Sequence, residues 1–254
     1  MKKHLPNAIT CLNLLCGCLA LTFILGSGPE PAARLRGLEI GAYLVGLAAL
    51  ADFADGLVAR ALRVSSAIGK DLDSLADMVS FGVVPGAILM QLLGLSLLGG
   101  QAGGAGPEPD YWLWLPYFGF LVSIFSALRL AKFNNDTRQS DSFIGLPTPA
   151  CTLVVASLPL ILAHDQFGLR GLLLSPWLLL GLTGVLSGLL VAELPLFALK
   201  FKCFGWAGNQ RRFLFLALSA ALLLFLRAAA VPLVVLLYVL LSVPRRQARQ
   251  QGGG

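Results

Sequence analysis

Long apolar runs alternate with short polar segments along the whole chain of 254 residues. Most runs are long enough to cross the roughly 30 Å hydrocarbon core of a bilayer as a helix. The pattern predicts eight transmembrane helices, over about 8–27, 39–62, 72–98, 112–133, 146–163, 174–198, 212–226 and 230–243. The last two runs are short, so one long helix over 212–243 is the alternative.

Composition agrees with this pattern. Apolar residues make up 57% of the chain and charged residues 13%, with a mean hydropathy of +0.79. Soluble domains contain about 25% charged residues. Because no polar stretch is long enough to form a soluble domain, we expect an all-α fold, a polytopic membrane helical bundle, as a single integral membrane domain over 1–254.

The distribution of basic residues predicts the orientation of the helices. With eight spans and a cytoplasmic N-terminus, 15 of the 19 Lys and Arg residues face the cytoplasm, as the positive-inside rule requires. The four on the outer side are Arg34, Arg36, Arg170 and Arg227. Fusing the last two spans would move the tail "PRRQAR" outside, so eight spans with both termini cytoplasmic are favoured.

Charge and the rarer residues exclude several classes of protein. The excess positive charge of +6 is expected at the inner membrane face. It therefore predicts membrane lipids as partners and argues against binding of nucleic acid. Only two histidines occur, His4 and His164, far apart in the topology, which argues against a zinc site or a histidine-based triad. The five cysteines show no metal-ligand spacing.

One stretch, "DFADGLVARALRVSSAIGKDLDSLAD" (52–77), contains five of the 13 acidic residues. Asp52 and Asp55 are three residues apart, and Asp73 and Asp77 are four apart, so each pair lies on one helical face. The two helices are expected to run antiparallel with a short turn between them. The two pairs of carboxylates should therefore converge near the inner membrane surface.

Such a cluster needs a positive partner. A single ionised acid at membrane depth costs roughly 2.5–3.5 kcal/mol on insertion scales, before any repulsion between neighbours. Clusters made only of oxygen ligands suit Mg²⁺, Mn²⁺ or Ca²⁺. Two such ions about 3.5–4 Å apart can hold phosphates and activate a nucleophile.

Residues between the acids indicate a ligand pocket. Gly56 and Ala59 lie on the same arc of the second helix as the acids and leave a notch there, although small residues also serve helix packing. Arg60 can grip a phosphate or extend to the interface. Gly69 permits a sharp turn and close backbone approach, and Ser65 can donate to a phosphate or simply form the turn.

The string Asp52-x2-Asp55-Gly56-x2-Ala59-Arg60-x8-Gly69-x3-Asp73-x3-Asp77 resembles the full signature of the CDP-alcohol phosphotransferases. That family implies membrane enzymes that displace CMP from a CDP-activated lipid with an alcohol, using a divalent-metal cluster. The resemblance implies that Asp52, Asp55 and Asp73 are metal ligands. It implies that Asp77 is both near a second metal and the candidate general base. The expected cofactor is Mg²⁺ or Mn²⁺, as two ions.

Further segments are similar to the bacterial, membrane-embedded phosphatidylserine synthases within that family. They are "PNAITCLNLLCG" (6–17), "GKDLDSLADMVSFGVVP" (69–85), "SALRLAKFN" (126–134), "FIGLPTPA" (143–150) and "LFALKFKCFGWAGNQRRF" (196–213). The implied reaction transfers a phosphatidyl group from CDP-diacylglycerol to L-serine and releases CMP at the cytoplasmic face of the cell membrane. Relatives suggest a homodimer.

Three charged residues near the predicted site allow two interpretations each. Arg129 and Lys132, three apart at the inner end of the fourth span, can hold the lipid phosphate or the acceptor, or can serve as positive-inside anchors. Lys132 stands where the resemblance leads us to expect arginine, and lysine lacks the planar fork. Asp71 lies outside the signature, about 200° around the helix from Asp73, so it should face solvent or cap the helix.

Two other functions remain open from the sequence. The same chemistry can use glycerol phosphate, inositol or another acceptor alcohol. Intramembrane acids also mark ion-coupled transporters, whose sites usually lie near the midplane between repeated halves. The acids here lie near one surface and the chain has no visible internal repeat, so a transporter is disfavoured.

Overall fold

The computed structural model describes residues 4–64, 66–100, 111–135, 142–197 and 209–242. In these ranges the chain is a bundle of helices with one two-stranded antiparallel ladder. The predicted helical membrane bundle is confirmed in outline. The ladder was not expected from the sequence.

The elements follow the order of the predicted spans. The helices are α1 (Leu5–Gly26), α2 (Pro31–Leu62), α3 (Ala67–Asp77), α4 (Val84–Gly100), α5 (Tyr111–Trp114), α6 (Leu121–Asn135), α7 (Thr148–Ala163), α8 (Arg170–Leu173), α9 (Pro176–Val191), α10 (Gln210–Leu226) and α11 (Ala230–Ser242). The strands are β1 (Ser142–Ile144) and β2 (Pro195–Phe197). A π-helical stretch, Met78–Val83, joins α3 to α4, and a 3₁₀ turn, Leu115–Phe120, precedes α6.

Helices that could span a membrane occur along the whole described chain. By length and composition, five helical segments within the described ranges could cross a bilayer: Leu5–Gly26, Pro31–Leu62, Ala67–Leu98, Leu115–Asn135 and Arg212–Ser242. The last of these combines α10 and α11, which are separated by a break at Arg227. Two further apolar helices, α7 and α9, are shorter. These findings support a membrane helical bundle, and the count of eight spans stays a prediction.

Helices α1 and α2 form a close hairpin because glycine allows their backbones to approach. At Gly41 in α2, a Cβ atom would lie 2.5 Å from Ile24 Cγ1 and 2.7 Å from its Cδ1. Ile24 is fully buried in this contact. Small residues serve the same purpose in membrane helices generally, because apolar lipid provides no hydrophobic drive for helix association.

A tight turn separates α2 from α3. Arg63 takes the left-handed conformation (φ 53°) and closes α2 through its backbone N–H. Ser66 then caps α3, its Oγ accepting a hydrogen bond from the Gly69 N–H at 3.0 Å. This arrangement satisfies an otherwise unpaired donor of the first helical turn. Helix α1 packs against both α2 and α3 and thereby braces the two helices on either side of the turn.

Neighbouring helices fix the π-helical stretch that follows Asp77. The carbonyl of Phe81 accepts a hydrogen bond from Thr152 Oγ1 at 2.9 Å, and that of Gly82 from Ser123 Oγ at 2.8 Å. Side-chain donors of this kind satisfy carbonyls where the regular helical ladder is interrupted. Single π-helical turns are frequent at functional sites, and this one begins directly after an acid of the signature.

The ladder corrects the predicted span 174–198. Helix α9 ends at Val191, and Ala192 is already extended (ψ 137°). Pro195 cannot supply an N–H to a continuing helix, and it disfavours helical geometry in the residue before it. The chain instead pairs β2 with β1, with Phe143 opposite Leu196.

The end of the described chain consists of two helices. Arg227 has φ 50° and ψ −123°, which interrupts the helix after α10. The rings of Phe215 and Tyr238 lie 5.7 Å apart, centre to centre. A continuous helix would separate them by about 34 Å at 1.5 Å per residue. Helices α10 and α11 therefore fold back on each other, which confirms the predicted division near residues 226–230.

Candidate active site

Carboxylates from α2 and α3 meet beside the turn that joins these helices. One oxygen each from Asp52, Asp55 and Asp73 lies within 4.8 Å of the others. Oxygen ligands on opposite sides of a Ca²⁺ or Mg²⁺ ion are separated by about 4–5 Å, since the metal–oxygen distance is about 2.0–2.6 Å. The donor set thus fits a hard divalent cation in chemistry and spacing. The acids that the sequence predicted to converge from the two helices do so for these three residues.

Asp77 occupies a distinct position in the cluster. It is the last residue of α3, and its carboxyl group contacts that of Asp52. It also accepts a hydrogen bond from Asn13 Nδ2 at 3.3 Å. In the described part of the chain, the group whose oxygens share the 4.8 Å spacing does not include Asp77. The four acids therefore divide into three that can share one ion and one that lies beside them.

The cluster is largely shielded from solvent. Asp55 is 7% exposed, and the other three acids are half-buried. Two exposed basic residues, Arg63 and Lys70, line the same cavity as Asp55 and Asp73. Like charges crowded at low dielectric repel strongly, so the group as a whole favours a bound cation.

A cavity of about 460 Å³ opens next to the acids. Its walls come from the start of α1, the end of α2, the turn and the start of α3. They consist of Pro6, Asn7, Thr10, Asp55, Gly56, Ala59, Arg63, Val64, Ser66, Gly69, Lys70 and Asp73. The volume falls in the range of small-molecule sites, about 300–1,000 Å³. A lining that contains both carboxylates and cations suits a ligand that carries phosphates together with divalent metal.

The two glycines of the sequence pattern have different surroundings. At Gly56 the nearest atoms to an added Cβ would be the guanidinium nitrogens of Arg60, at 3.9 Å, so the cavity wall is open there. At Gly69 an added Cβ would lie 2.9 Å from Ser66 Oγ and 3.0 Å from Asn7 Oδ1. Gly56 therefore lines open space. Gly69, which the sequence predicted to permit close backbone approach, allows α3 to lie close to α1.

Helix α1 contributes two donors that the sequence reasoning missed. Thr10 Oγ1 donates to Asp55 Oδ2 at 2.7 Å, and Asn13 Nδ2 donates to Asp77. A signal was present: Asn7, Thr10 and Asn13 recur every three residues in an otherwise apolar helix, which places them along one side. The sequence alone does not say which helix that side faces.

Two predicted ligand residues stand apart from the cavity wall. Arg60 is exposed, with its guanidinium over Gly56, and is not among the residues lining the cavity. Ser65 lies outside the described residues. Arg63 and Lys70, which were not predicted as ligand residues, line the cavity instead.

Arg129 and Lys132 do not share an environment, although their spacing suggested one face. Arg129 is 8% exposed, lies near Asp77, and places its guanidinium carbon 5.0 Å from the centre of the Phe133 ring. Its Nε has no hydrogen-bond partner in the described ranges. Lys132 is exposed. Positions three apart differ by about 60° around a helix, which is enough to separate a buried side chain from an exposed one at the edge of a bundle.

Comparisons with known proteins agree with this architecture. The model of the CDP-alcohol phosphatidyltransferase family matches residues 3–191. A Bacillus subtilis protein named CDP-diacylglycerol–serine O-phosphatidyltransferase is 32% identical over 182 residues, which cover 68% of this chain and 88% of the relative.

Two relatives with the same name come from Mycobacterium leprae and Helicobacter pylori. The first is 32% identical over 200 residues, covering 76% of this chain and 57% of the relative. The second is 33% identical over 152 residues, covering 59% of this chain and 54% of the relative. The chain therefore spans most of the Bacillus protein and somewhat more than half of the other two. The family model covers both helices of the acid cluster and α1 beneath it, and the chain belongs to the CDP-alcohol phosphatidyltransferase family.

Proposed function

We propose that this protein transfers a phosphatidyl group from CDP-diacylglycerol to the hydroxyl group of L-serine, giving phosphatidylserine and CMP. The observation that carries the proposal is the group of Asp52, Asp55 and Asp73, whose oxygens can share one ion and of which Asp55 and Asp73 line the cavity, in a chain of this family. The names of the Bacillus, Mycobacterium and Helicobacter relatives support serine as the acceptor.

Asp52, Asp55 and Asp73 would hold divalent metal, with Asp77 beside a second ion; Mg²⁺ and Mn²⁺ fit these oxygen donors. When bound, the metal neutralises the pyrophosphate and stabilises the departing CMP. The carboxylates would act by holding the positive charge of the metal in a fixed place. Their partial burial keeps competing water away from the reacting phosphate.

Asp77 is the proposed general base. The hydroxyl of serine is a weak nucleophile at neutral pH, so a positioned base must take its proton. Overall, the serine oxygen forms a bond to the phosphatidyl phosphorus, the phosphorus–oxygen bond to CMP breaks, and the hydroxyl proton passes to Asp77. The position of Asp77 beside the other three acids supports its assignment as the base and theirs as metal ligands.

The CDP-lipid would occupy the cavity. Gly56 and Ala59 give it room at the wall, and Gly69 lets the turn approach closely. Arg63 and Lys70 are suited to the pyrophosphate because they are the cations of the cavity wall. Arg60 and Ser65 remain proposed contacts of the CDP-lipid, on the strength of the family resemblance.

On the acceptor side, we assign Arg129 to the carboxylate of serine or to the lipid phosphate. A buried guanidinium near Asp77, with an unpartnered Nε in the described ranges, has a donor to offer an anion. The exposed Lys132 is better suited to a lipid phosphate at the membrane surface.

The proposed setting is a cell membrane with the active site at the cytoplasmic face. Eight spans with both termini inside put 15 of 19 basic residues on that side. We also propose one domain over 1–254 and a homodimer, which cross-linking in native membranes would test. Accessibility labelling of single cysteines in the 63–66 turn and in the loop near Gln166 would test the sidedness.

An acceptor assay tests the function. Purified protein receives CDP-diacylglycerol, Mg²⁺ or Mn²⁺, and one labelled alcohol: serine, glycerol phosphate or inositol. CMP and labelled phosphatidylserine should form with serine alone. CMP release with another alcohol instead would reject serine while leaving the family assignment intact.

Two aspartate variants on α3 make the assay specific to the cluster. Asp77→Asn should abolish turnover but leave binding of CDP-diacylglycerol largely intact, because it removes the proposed base and keeps the shape. Asp71→Asn makes the same chemical change at an exposed position on the same helix and should retain activity. Full activity of Asp77→Asn would remove this residue as the base.

A further inference from the structure

Two polar side chains of α1 each hold a different member of the acid cluster. Thr10 donates to Asp55, which belongs to the group of three, and Asn13 donates to Asp77, which does not. We propose that α1 is the positioning element of the site, with Thr10 orienting Asp55 toward the metal and Asn13 orienting Asp77 toward the acceptor hydroxyl. The inference rests on the proposed function and assigns roles to two residues outside the signature.

The Thr10 contact has the geometry of a strong hydrogen bond. At 2.7 Å, its Oγ1 lies closer to Asp55 Oδ2 than to the carbonyl oxygen of Pro6, at 3.1 Å. A hydroxyl has one proton to donate, and bonds to an ionised acceptor are shorter and stronger. Both partners are buried, at 4% and 7% exposure. One carboxylate oxygen is thus held by α1, which fixes the direction of the other.

Asn13 is itself bonded, through its backbone, to the π-helical stretch that follows Asp77. It is fully buried, and its backbone carbonyl accepts a hydrogen bond from Ser80 Oγ at 3.0 Å. Gly17, one turn later, leaves room for that serine, since an added Cβ would lie 3.0 Å from Ser80 Cα. The side chain of Asn13 is therefore presented to Asp77 from a backbone that is tied to the π-helical stretch.

Packing alone does not account for an asparagine at this position. Its Oδ1 is buried and has no hydrogen-bond partner in the described part of the chain. A buried acceptor left unpaired is destabilising, whereas leucine has nearly the same shape and no polar atom to leave unpaired. The donation to Asp77 is the gain that explains the choice. Residues that orient ligands and bases in this way typically change affinity or activity by 10–100-fold when replaced.

The experiment separates the two roles on one helix. The full-length protein in detergent is titrated with Mn²⁺ without substrate and followed by electron paramagnetic resonance. The values of kcat and KM are then measured for CDP-diacylglycerol and serine. The variants are Thr10→Val, which keeps the shape and removes the hydroxyl, Thr10→Ser, which restores it, and Asn13→Leu. The control is Thr22→Val, which removes an exposed hydroxyl bonded within α1 to the Cys18 carbonyl.

Thr10→Val should raise the dissociation constant for Mn²⁺ about 10-fold or more, and Thr10→Ser should restore it. Asn13→Leu should lower kcat about 10–100-fold while Mn²⁺ affinity and the KM for CDP-diacylglycerol stay within about twofold of the wild type. Thr22→Val should match the wild type in both assays. If Asn13→Leu does not fold, Asn13→Ser, too short to reach Asp77, replaces it.

Normal Mn²⁺ binding by Thr10→Val, or a wild-type kcat for Asn13→Leu and Asn13→Ser, would overturn the inference. So would equal effects of both positions on Mn²⁺ affinity, since a merely structural role of α1 predicts that result. The Mn²⁺ titration does not depend on the acceptor. If the wild type used another alcohol, the serine proposal would fail, and the kcat comparison would be made with that alcohol.

Discussion

The two glycines of the acid cluster should respond in opposite ways to the same substitution. Gly56 lies inside α2, where an added Cβ has 3.9 Å of clearance, so Gly56→Ala gains about 0.8–1.0 kcal/mol of helix propensity. Gly69 lies in the first turn of α3, where the added Cβ would be 2.9 Å from Ser66 Oγ and 3.0 Å from Asn7 Oδ1. Relieving that contact costs about 1–3 kcal/mol, and losing the Ser66 cap costs about 1 kcal/mol.

Thermal unfolding in detergent measures this difference. Gly56→Ala should unfold at or above the wild-type temperature yet bind CDP-diacylglycerol more weakly, because its methyl group enters the cavity. Gly69→Ala should unfold several degrees lower. Adding Asn7→Ala to Gly69→Ala should recover part of the loss, since it removes one of the two crowded atoms. Equal midpoints for the two single variants would refute the packing of α1 against the turn as described.

Three further predictions concern the metal, the acceptor and the ladder. Asp52→Asn should weaken the metal dependence and the turnover together, and an unchanged Mg²⁺ or Mn²⁺ titration would refute its role as a ligand. Arg129→Lys should raise the KM for serine about 10-fold or more, because lysine loses the planar fork; Arg36→Lys, at an exposed position near the start of α2, is the control. Gly145→Ala should lower the unfolding midpoint, since Gly145 has φ 79° and an added Cβ would lie 2.8 Å from the carbonyl oxygen of Leu190. The left-handed conformation alone costs roughly 1–2 kcal/mol in a residue with a Cβ.

The helices were predictable because most apolar runs had about the length that a bilayer requires. The residues at which the helices begin and end were less predictable. Helix α2 begins at Pro31, eight residues before the predicted start at 39, because proline is well suited to a first helical turn. Hydropathy places the charged residues that follow Pro31 in a loop, although a helix can extend past the hydrocarbon core. Helix α9 ends early because Pro195 follows it, and hydropathy does not register that backbone constraint.

The convergence of the acids was predictable because their spacing and a short turn are both local. Asp52 and Asp55 lie three apart on α2, and the turn to α3 brings Asp73 back within reach. The separation of Arg129 from Lys132 was not predictable in this way. Their offset of about 60° permits a shared face, and only the packing of α6 in the bundle decides that one is buried and the other exposed.

The contribution of α1 to the site could not be predicted from the sequence of a single chain. Thr10 reaches an acid 45 residues away, and Asn13 reaches one 64 residues away. Polar residues on one stripe of a membrane helix indicate a buried neighbour, but serine, threonine and asparagine serve ordinary helix association equally well. The stripe takes on a functional meaning once its partners are known to be the acids of α2 and α3. Two donors on α1 contact two acids with different proposed tasks. A small movement of α1 would therefore change metal binding and proton transfer together. No local feature of the signature reveals this coupling.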